Sequence, residues 1–139
     1  MVTAIVGAVI LALCLAVVVA IARDSGPGPG DTAVSYELAW DRLDFDVLWT
    51  LSGRELRDGL DRHQFVATKR AAYEQQRALS RLAEHVTVDD VAVSPSGDAA
   101  LVTTAVHLHD GTVVRNAVQL ARRNARWEVV AYRLAPTTQ

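Results

Sequence analysis

Residues 99–122 are AALVTTAVHLHDGTVVRNAVQLAR, two apolar, β-branched segments on either side of Asp110-Gly111. Asp-Gly between two such segments is the strongest short-range indication of a β-hairpin. We therefore predict strands Ala99–His109 and Thr112–Arg122, joined by a two-residue turn. That turn pairs His109 with Thr112 and fixes the register of all residues further from it.

Two more strands extend this hairpin into a sheet. Val86–Val93 alternates and ends at the turn-forming sequence Ser94-Pro95-Ser96-Gly97-Asp98. Arg126–Leu134 follows a second short turn that contains Asn124-Ala125. The second half of the chain is thus predicted to form a four-stranded, mainly antiparallel sheet.

About three helices precede the sheet. Asp31 is a plausible N-cap for the first, and Asp44 for a short second helix that ends near Leu51. Asp61 begins a capping-box pattern for a third helix, which we expect to continue to about Ala83. Its charged residues have the spacing of a solvated face; they are Arg70, Glu74, Arg77, Arg81 and Glu84. The fold class is therefore α+β.

The first 22 residues have a different composition. Val2–Ala22 carries no charge, and a helix of this length covers about 31 Å, the thickness of one hydrocarbon core. We therefore predict that residues 1–22 form a transmembrane helix, a signal anchor that places the protein in the cell membrane as a single-pass protein in contact with the lipid bilayer.

Two alternatives to a retained anchor involve processing. Ala20-Ile21-Ala22 has the A-x-A pattern of a signal-peptidase site, but no Lys or Arg precedes the apolar run. Cys14 suggests lipoprotein processing, yet the large Leu13 stands before it and further apolar residues follow. A cysteine that packs within a membrane helix is the simpler interpretation.

Residues 23–30, RDSGPGPG, are predicted to form a Gly/Pro linker. They separate the anchor from an α+β domain at residues 31–135, which a short tail at 136–139 follows. The basic Arg23 on this side of the anchor favours a cytoplasmic domain under the positive-inside rule, although one arginine is a small bias.

Charge and cysteine content exclude several classes of function. The chain has 16 acidic residues and 14 lysines and arginines, so it lacks the basic excess of a nucleic-acid-binding protein. Because Cys14 is the one cysteine, the predicted domain has neither a disulfide nor thiol chemistry. His107 and His109 alternate on a strand with no evident third ligand, so we expect no metal site and no cofactor.

The predicted register places apolar residues on both faces of the sheet. One face combines Thr103 and His107 with Asn116, and Arg133 joins it if Asn124-Ala125 is the next turn. Three helices can cover only one side of such a sheet. We therefore expect the second face to be covered by self-association or by a protein partner.

The order of these elements resembles a known superfamily. Tyr36, Ala39-Trp40, Asp44 and Leu48-Trp49 precede a long helix and a sheet that ends in Arg126-Trp127-Glu128-Val129-Val130. This arrangement is similar to the nuclear transport factor two-like α+β cone, which ketosteroid isomerase and polyketide cyclases share. It also resembles actinobacterial proteins with one membrane span and an extracytoplasmic cone. The resemblance implies that this domain lies outside the cytoplasm.

Enzymes of this superfamily carry acidic or basic groups inside the cone. The resemblance implies a pocket whose candidate ligand-binding residues here are His107, Asn116, Arg133, Thr103, Tyr36 and Trp40. None of the inward sheet positions in the predicted register is a carboxylate, so no catalytic residue is assigned. Our leading hypothesis is a membrane-tethered, non-enzymatic interaction or assembly module. The alternative is a cone-fold enzyme or binder of a small hydrophobic ligand that uses His107, Asn116 and Arg133.

Overall fold

The computed structural model describes residues 26–135. Three α-helices come first; they are α1 (Pro29–Arg42), α2 (Phe45–Leu51) and α3 (Arg62–Tyr73). Four antiparallel strands follow in the order β1-β2-β3-β4; they are β1 (Ala83–Val93), β2 (Ala99–Leu108), β3 (Val113–Arg123) and β4 (Arg126–Leu134). Two 3₁₀-helices connect these elements, Arg54–Leu56 and Glu74–Leu79. Three helices on a four-stranded antiparallel sheet confirm the predicted α+β class.

The predicted anchor at residues 1–22 and the tail at 136–139 lie outside the described residues. None of the helices between residues 26 and 135 is long and apolar enough to cross a membrane.

The first helix starts two residues earlier than the predicted domain boundary. Its N-cap is Gly28, and Pro29 occupies the first turn, where its missing N–H costs no hydrogen bond. Asp31 is therefore the third helical residue and not the cap; its carboxylate accepts a hydrogen bond of 3.3 Å from the Gly28 N–H. Pro29 and Gly30, which we assigned to the linker, belong to α1.

The caps of the next two helices were predicted correctly. The Asp44 carboxylate accepts from the Val47 N–H at 3.3 Å, and α2 begins directly after it. Asp61 and Gln64 form a reciprocal capping box, with the Gln64 N–H 2.8 Å from the Asp61 carboxylate. These side chains satisfy N–H groups that have no partner within the helix.

The third helix is shorter than predicted. It ends at Tyr73 and becomes a 3₁₀-helix, so Leu79 is 67% exposed instead of lying on a continuous apolar face. The reason is a long-range contact with α1. The Asp41 carbonyl accepts from the Arg81 N–H at 2.7 Å, and the Asp41 carboxylate accepts from the Leu82 N–H at 2.8 Å. These bonds redirect the chain into β1.

The central hairpin exists, but its register differs from the prediction by one residue. Val113 pairs with His107, and the Leu108 N–H donates to the Thr112 carbonyl at 2.8 Å, which leaves a three-residue loop. Gly111 closes that loop in the left-handed region, with φ 89°. A three-residue loop with a left-handed glycine is the next commonest hairpin connection after the two-residue turn.

This shift changes which residues share a face of the sheet. The inner face, which packs against the helices, carries Thr104 and Asn116, which pair with each other. Because side chains alternate along a strand, Thr103 and His107 lie on the opposite, outer face. The predicted combination of Thr103 and His107 with Asn116 on one face was wrong.

The core lies between the helices and the inner face. Its most buried large side chains include Leu48 from α2, Val102 from β2 and Val129 from β4. Phe65 closes the layer from α3. A short parallel bridge between Ser52 and Val129 attaches the end of α2 to the edge of the sheet.

Candidate functional site

A carboxylate lies inside the cone, on α1. Glu37 is 5% exposed and faces the sheet together with Ala33 and Tyr36. The spacing of Ala33, Glu37 and Trp40 is i, i+4 and i+7, which places all three on one side of a helix. Helix α1 therefore supplies the acidic group that the strands do not.

The Glu37 side chain accepts three hydrogen bonds from the inner face of the sheet. Its Oε1 accepts from the Thr104 hydroxyl at 2.7 Å and from the Asn116 amide at 2.9 Å. Its Oε2 accepts from the Tyr132 hydroxyl at 2.7 Å. The Asn116 amide also donates to the Tyr132 oxygen at 2.8 Å. We call these four residues the Glu37 cluster.

One tyrosine, Tyr132, belongs to this cluster, and a second, Tyr36, borders it. The rings of Tyr36 and Tyr132 meet edge to face, with centroids 5.3 Å apart. Burial raises the pKa of Tyr132, and the adjacent Glu37 carboxylate raises it further. Burial also raises the pKa of Tyr36. Both hydroxyls therefore keep their protons, and that of Tyr132 remains a hydrogen-bond donor to Glu37.

The geometry of the Glu37 cluster suits a structural role. Both carboxylate oxygens are occupied by donors from the protein, and the group is nearly inaccessible to solvent. Within residues 26–135, no lysine, arginine or histidine nitrogen lies within 4.0 Å of this carboxylate. Neutral hydrogen-bond donors therefore take the place of water around this carboxyl group, and they attach α1 to strands β2, β3 and β4.

Three of the predicted pocket residues lie on the inner side of the sheet. Asn116 is part of the Glu37 cluster, and Tyr36 packs against it. Trp40 lies one turn further along α1, where its ring meets that of Tyr73 at 5.4 Å. The buried Trp40 Nε1 has no hydrogen-bond partner among the described residues.

The other three lie on the outer face. Thr103 and Arg133 are both in register with Ala117. His107 stacks on His85 with ring centroids 4.2 Å apart, and its Nε2 lies 3.1 Å from the Thr87 hydroxyl. The predicted pocket of six residues is thus divided by the sheet. Across residues 26–135 there is no group of three or more metal-ligating side chains.

Sequence reasoning missed Glu37, Thr104 and Tyr132. The predicted inner strand positions contain no carboxylate, whereas helix α1 supplies one. The spacing of Glu37 relative to Ala33 and Trp40 is a signal that could have indicated an inward-facing acid. The face on which Thr104 and Tyr132 lie depends on the register of the strands, and that register differs from the prediction.

An exposed ion pair links the helical half of the domain to the sheet. Both terminal guanidinium nitrogens of Arg123, Nη1 and Nη2, donate to the Glu55 carboxylate, and Nη1 also lies 3.4 Å from Glu128. The Arg123 hydrogen bonds lower the pKa of Glu55 from its ordinary 4.5 to about 2. Glu55 therefore stays ionised well into the acid range.

Comparison with known proteins supports the fold. No family model and no curated protein matches this sequence. A solved structure from Campylobacter jejuni, described as an NTF2-like transpeptidase, superimposes with a TM-score of 0.52 at 16% sequence identity. The match covers 74% of this chain and 97% of that one. The chain therefore has the nuclear transport factor two-like fold. At this identity the likeness extends to the fold alone.

Proposed function

We propose that this chain is a membrane-tethered, non-enzymatic interaction module that self-associates through the outer face of its sheet. The main support for this proposal is an exposed apolar concavity on the side of the sheet that no helix covers. Its volume is about 370 Å³. We call it the outer patch and define it by Ala92, Leu101, Gln119, Ala121 and Val130.

The interior of the cone supports a non-enzymatic role. Reactive groups in enzymes are accessible to substrate, whereas the Glu37 carboxylate is buried and accepts three hydrogen bonds. The alternative ligand pocket required His107, Asn116 and Arg133 to converge. Those residues lie on opposite faces of the sheet, which weakens the alternative.

The outer patch has the composition of a contact surface. Ala92, Leu101 and Gln119 are in register across three strands, and Leu101 is 38% exposed. The small side chains beside Leu101 leave a shallow depression into which a large apolar side chain can fit. An apolar concavity that is rimmed by polar residues is typical of a protein-interaction site.

A second copy of the chain is the occupant that the charges favour. Asp90 on β1 and Arg133 on β4 lie at opposite edges of one cross-strand row. A two-fold axis parallel to the strands would stack two sheets with β1 of one copy over β4 of the other. Asp90 would then face Arg133 twice, while the two outer patches face each other.

The test is the mass of the full chain in a non-ionic detergent, measured by light scattering after size exclusion. We expect a dimer for the native chain and a monomer for Leu101→Arg, because a buried unpaired charge opposes association. Leu79→Arg is the matched control; Leu79 is 67% exposed and lies outside the sheet, so this variant should remain a dimer. A native monomer, or a dimeric Leu101→Arg, would overturn the proposal.

A charge exchange tests the orientation of the two copies. Asp90→Arg and Arg133→Asp should each weaken the dimer, because each puts like charges opposite one another. The double variant should restore it. Equal weakening by the double variant and the single variants would contradict the proposed two-fold arrangement.

Tethering and orientation are part of the proposal. The uncharged run Val2–Ala22 supports a retained anchor, and the fold is compatible with an extracytoplasmic domain. Alkaline phosphatase fused after Gln139 is active only when exported. Activity supports the outward orientation, and an inactive fusion that is made in normal amounts would indicate a cytoplasmic domain.

A further inference from the structure

A second polar region lies outside the cone, between the end of α1 and the chain that follows α3. A pocket of about 280 Å³ opens there. Four arginines line it, Arg42, Arg70, Arg77 and Arg81, together with one acidic residue, Glu74. We call this region the arginine pocket. Its volume is close to the lower end of small-molecule sites, about 300 Å³.

The cations of the arginine pocket have no anionic partner among the residues that the structure describes. Within residues 26–135 no carboxylate oxygen lies within 4.0 Å of any of the four guanidinium groups. By contrast, two arginines on other parts of the domain lie close to a carboxylate: Arg62 lies 3.0 Å from Asp46, and Arg115 lies 3.0 Å from Asp89. Four like charges around one concavity repel each other, so an anion that enters it is attracted by all of them.

The backbone holds these arginines in place from different segments. Arg42 ends α1, Arg70 lies within α3, and Arg77 belongs to the 3₁₀-helix Glu74–Leu79. Arg81 has a left-handed backbone, with φ 59°, and its N–H donates to the Asp41 carbonyl at 2.7 Å. The pocket is therefore assembled by the same contact that redirects the chain into β1. Charged residues that are merely neighbours in the sequence would not need a long-range contact of this kind to bring them together.

The side of the pocket next to the core is aromatic. Phe45 and Tyr73 line it, with ring centroids 5.9 Å apart, and Trp40 packs behind Tyr73 at 5.4 Å. A ligand in the pocket thus meets cations on its exposed sides and aromatic rings on the other. This combination suits an anion that is attached to an organic group.

The number and directions of the cations favour phosphate over carboxylate. Four guanidinium groups and one carboxylate give the lining a net formal charge of +3. A phosphate monoester carries roughly two negative charges at neutral pH, whereas a carboxylate carries one. A planar carboxylate is well matched by one bidentate arginine, but a tetrahedral phosphate accepts donors from several directions.

From this geometry we infer that the arginine pocket is a binding site for a phosphate-bearing small molecule or headgroup. Arg70 and Arg77 contact the phosphate together with Arg42 and Arg81, and the organic part of the ligand lies against Phe45 and Tyr73. This site does not depend on the self-association proposed above, because it lies away from the sheet.

The test is isothermal titration of the full chain in a non-ionic detergent. Glycerol 3-phosphate represents soluble phosphate monoesters, and dihexanoylphosphatidic acid, below its micelle concentration, represents lipid headgroups that end in a phosphate monoester. We expect at least one to bind, more weakly as sodium chloride is raised, and the tighter of the two identifies the source. Failure of both to bind would overturn the inference.

Variants assign the binding to the pocket. In Arg70→Gln/Arg77→Gln we expect the dissociation constant to rise at least tenfold, or about 1.4 kcal/mol. Arg54→Gln is the matched control; the Arg54 side chain is 85% exposed and outside the pocket, so its affinity should stay within about twofold of native. Equal weakening by Arg54→Gln would indicate non-specific charge attraction and contradict the site.

Two further measurements test the phosphate site through effects that misfolding of a variant cannot produce. Glu74→Gln removes the only carboxylate among the pocket-lining residues and should tighten binding, which a misfolded variant would not do. Succinate carries two negative charges but no phosphate and should bind at least tenfold more weakly than the better phosphate ligand. Succinate binding of equal strength would overturn the phosphate assignment.

Discussion

The Glu37 cluster and the arginine pocket differ in whether their polar side chains have partners inside the protein. In the cluster, one carboxylate is 5% exposed and accepts from Thr104, Asn116 and Tyr132. In the pocket, four guanidinium groups lie around open space with no carboxylate within 4.0 Å in the described part of the chain. The first polar group is satisfied from within the protein, whereas the second can be satisfied from outside it.

This difference separates stability from binding. Removing one member of a buried network leaves its partners unsatisfied, and each then costs about 1–3 kcal/mol. Removing a solvated arginine leaves nothing buried without a partner. The Glu37 cluster should therefore respond to mutation in unfolding experiments, and the arginine pocket in binding experiments.

The largest effect is expected for Glu37→Ala. Three donors lose their acceptor at once, so we expect the free energy of unfolding to fall by about 3–5 kcal/mol. Chemical unfolding of the full chain, followed by tryptophan fluorescence, measures it. Glu74→Ala makes the same substitution in the arginine pocket and should change the stability by less than about 0.5 kcal/mol. Equal losses would mean that the two regions do not differ as described.

A smaller effect is expected for Tyr132→Phe, which removes one hydroxyl and keeps the ring. Glu37 Oε2 loses its donor, so we expect a loss of about 1–2 kcal/mol. Tyr73→Phe is the control, because the Tyr73 hydroxyl has no hydrogen-bond partner in residues 26–135. If the control costs as much as Tyr132→Phe, the bond to Glu37 contributes nothing beyond the ring.

The smallest effect is expected at the exposed ion pair of Glu55 with Arg123. At neutral pH, Arg123→Gln should lower the denaturation midpoint only slightly, because an exposed ion pair contributes little to stability. Arg77→Gln, which removes an unpaired arginine of the pocket, should cost nothing measurable.

The same pair predicts an acid dependence. The folded-state pKa of Glu55 is lowered from 4.5 to about 2, so its stabilisation is present above pH 4.5 and is lost as the pH falls towards 2. Denaturation midpoints across this range should fall less in Arg123→Gln than in the native chain. An identical fall in both would show that the pair does not set the acid response.

The local features of this fold could be predicted because neighbouring residues decide them. Asp44 and Asp61 cap their helices as expected, since a cap depends on a side chain and the N–H groups two or three residues later. The turn at Asn124-Ala125 is also as predicted, and both residues adopt left-handed backbone conformations. Four strands in sequential order follow from such short connections.

The candidate site could not be predicted to the same extent because it depends on register. The loop has three residues instead of two, and this shift of one residue in register puts Thr103 and His107 on the face opposite Asn116. Both loop lengths are compatible with Asp-Gly. The energy that selects between them comes from burying Val102, Thr104 and Val118 under the helices.

By itself, the sequence determined the α+β class, the four strands, two helix caps and the composition of the run Val2–Ala22. Each depends on residues that are close together in the chain. Only the tertiary structure decided that Glu37 meets Tyr132, 95 residues away, and that four arginines from separate segments line one pocket. Those contacts depend on how the helices pack on the sheet, because the burial that selects them involves the whole domain at once.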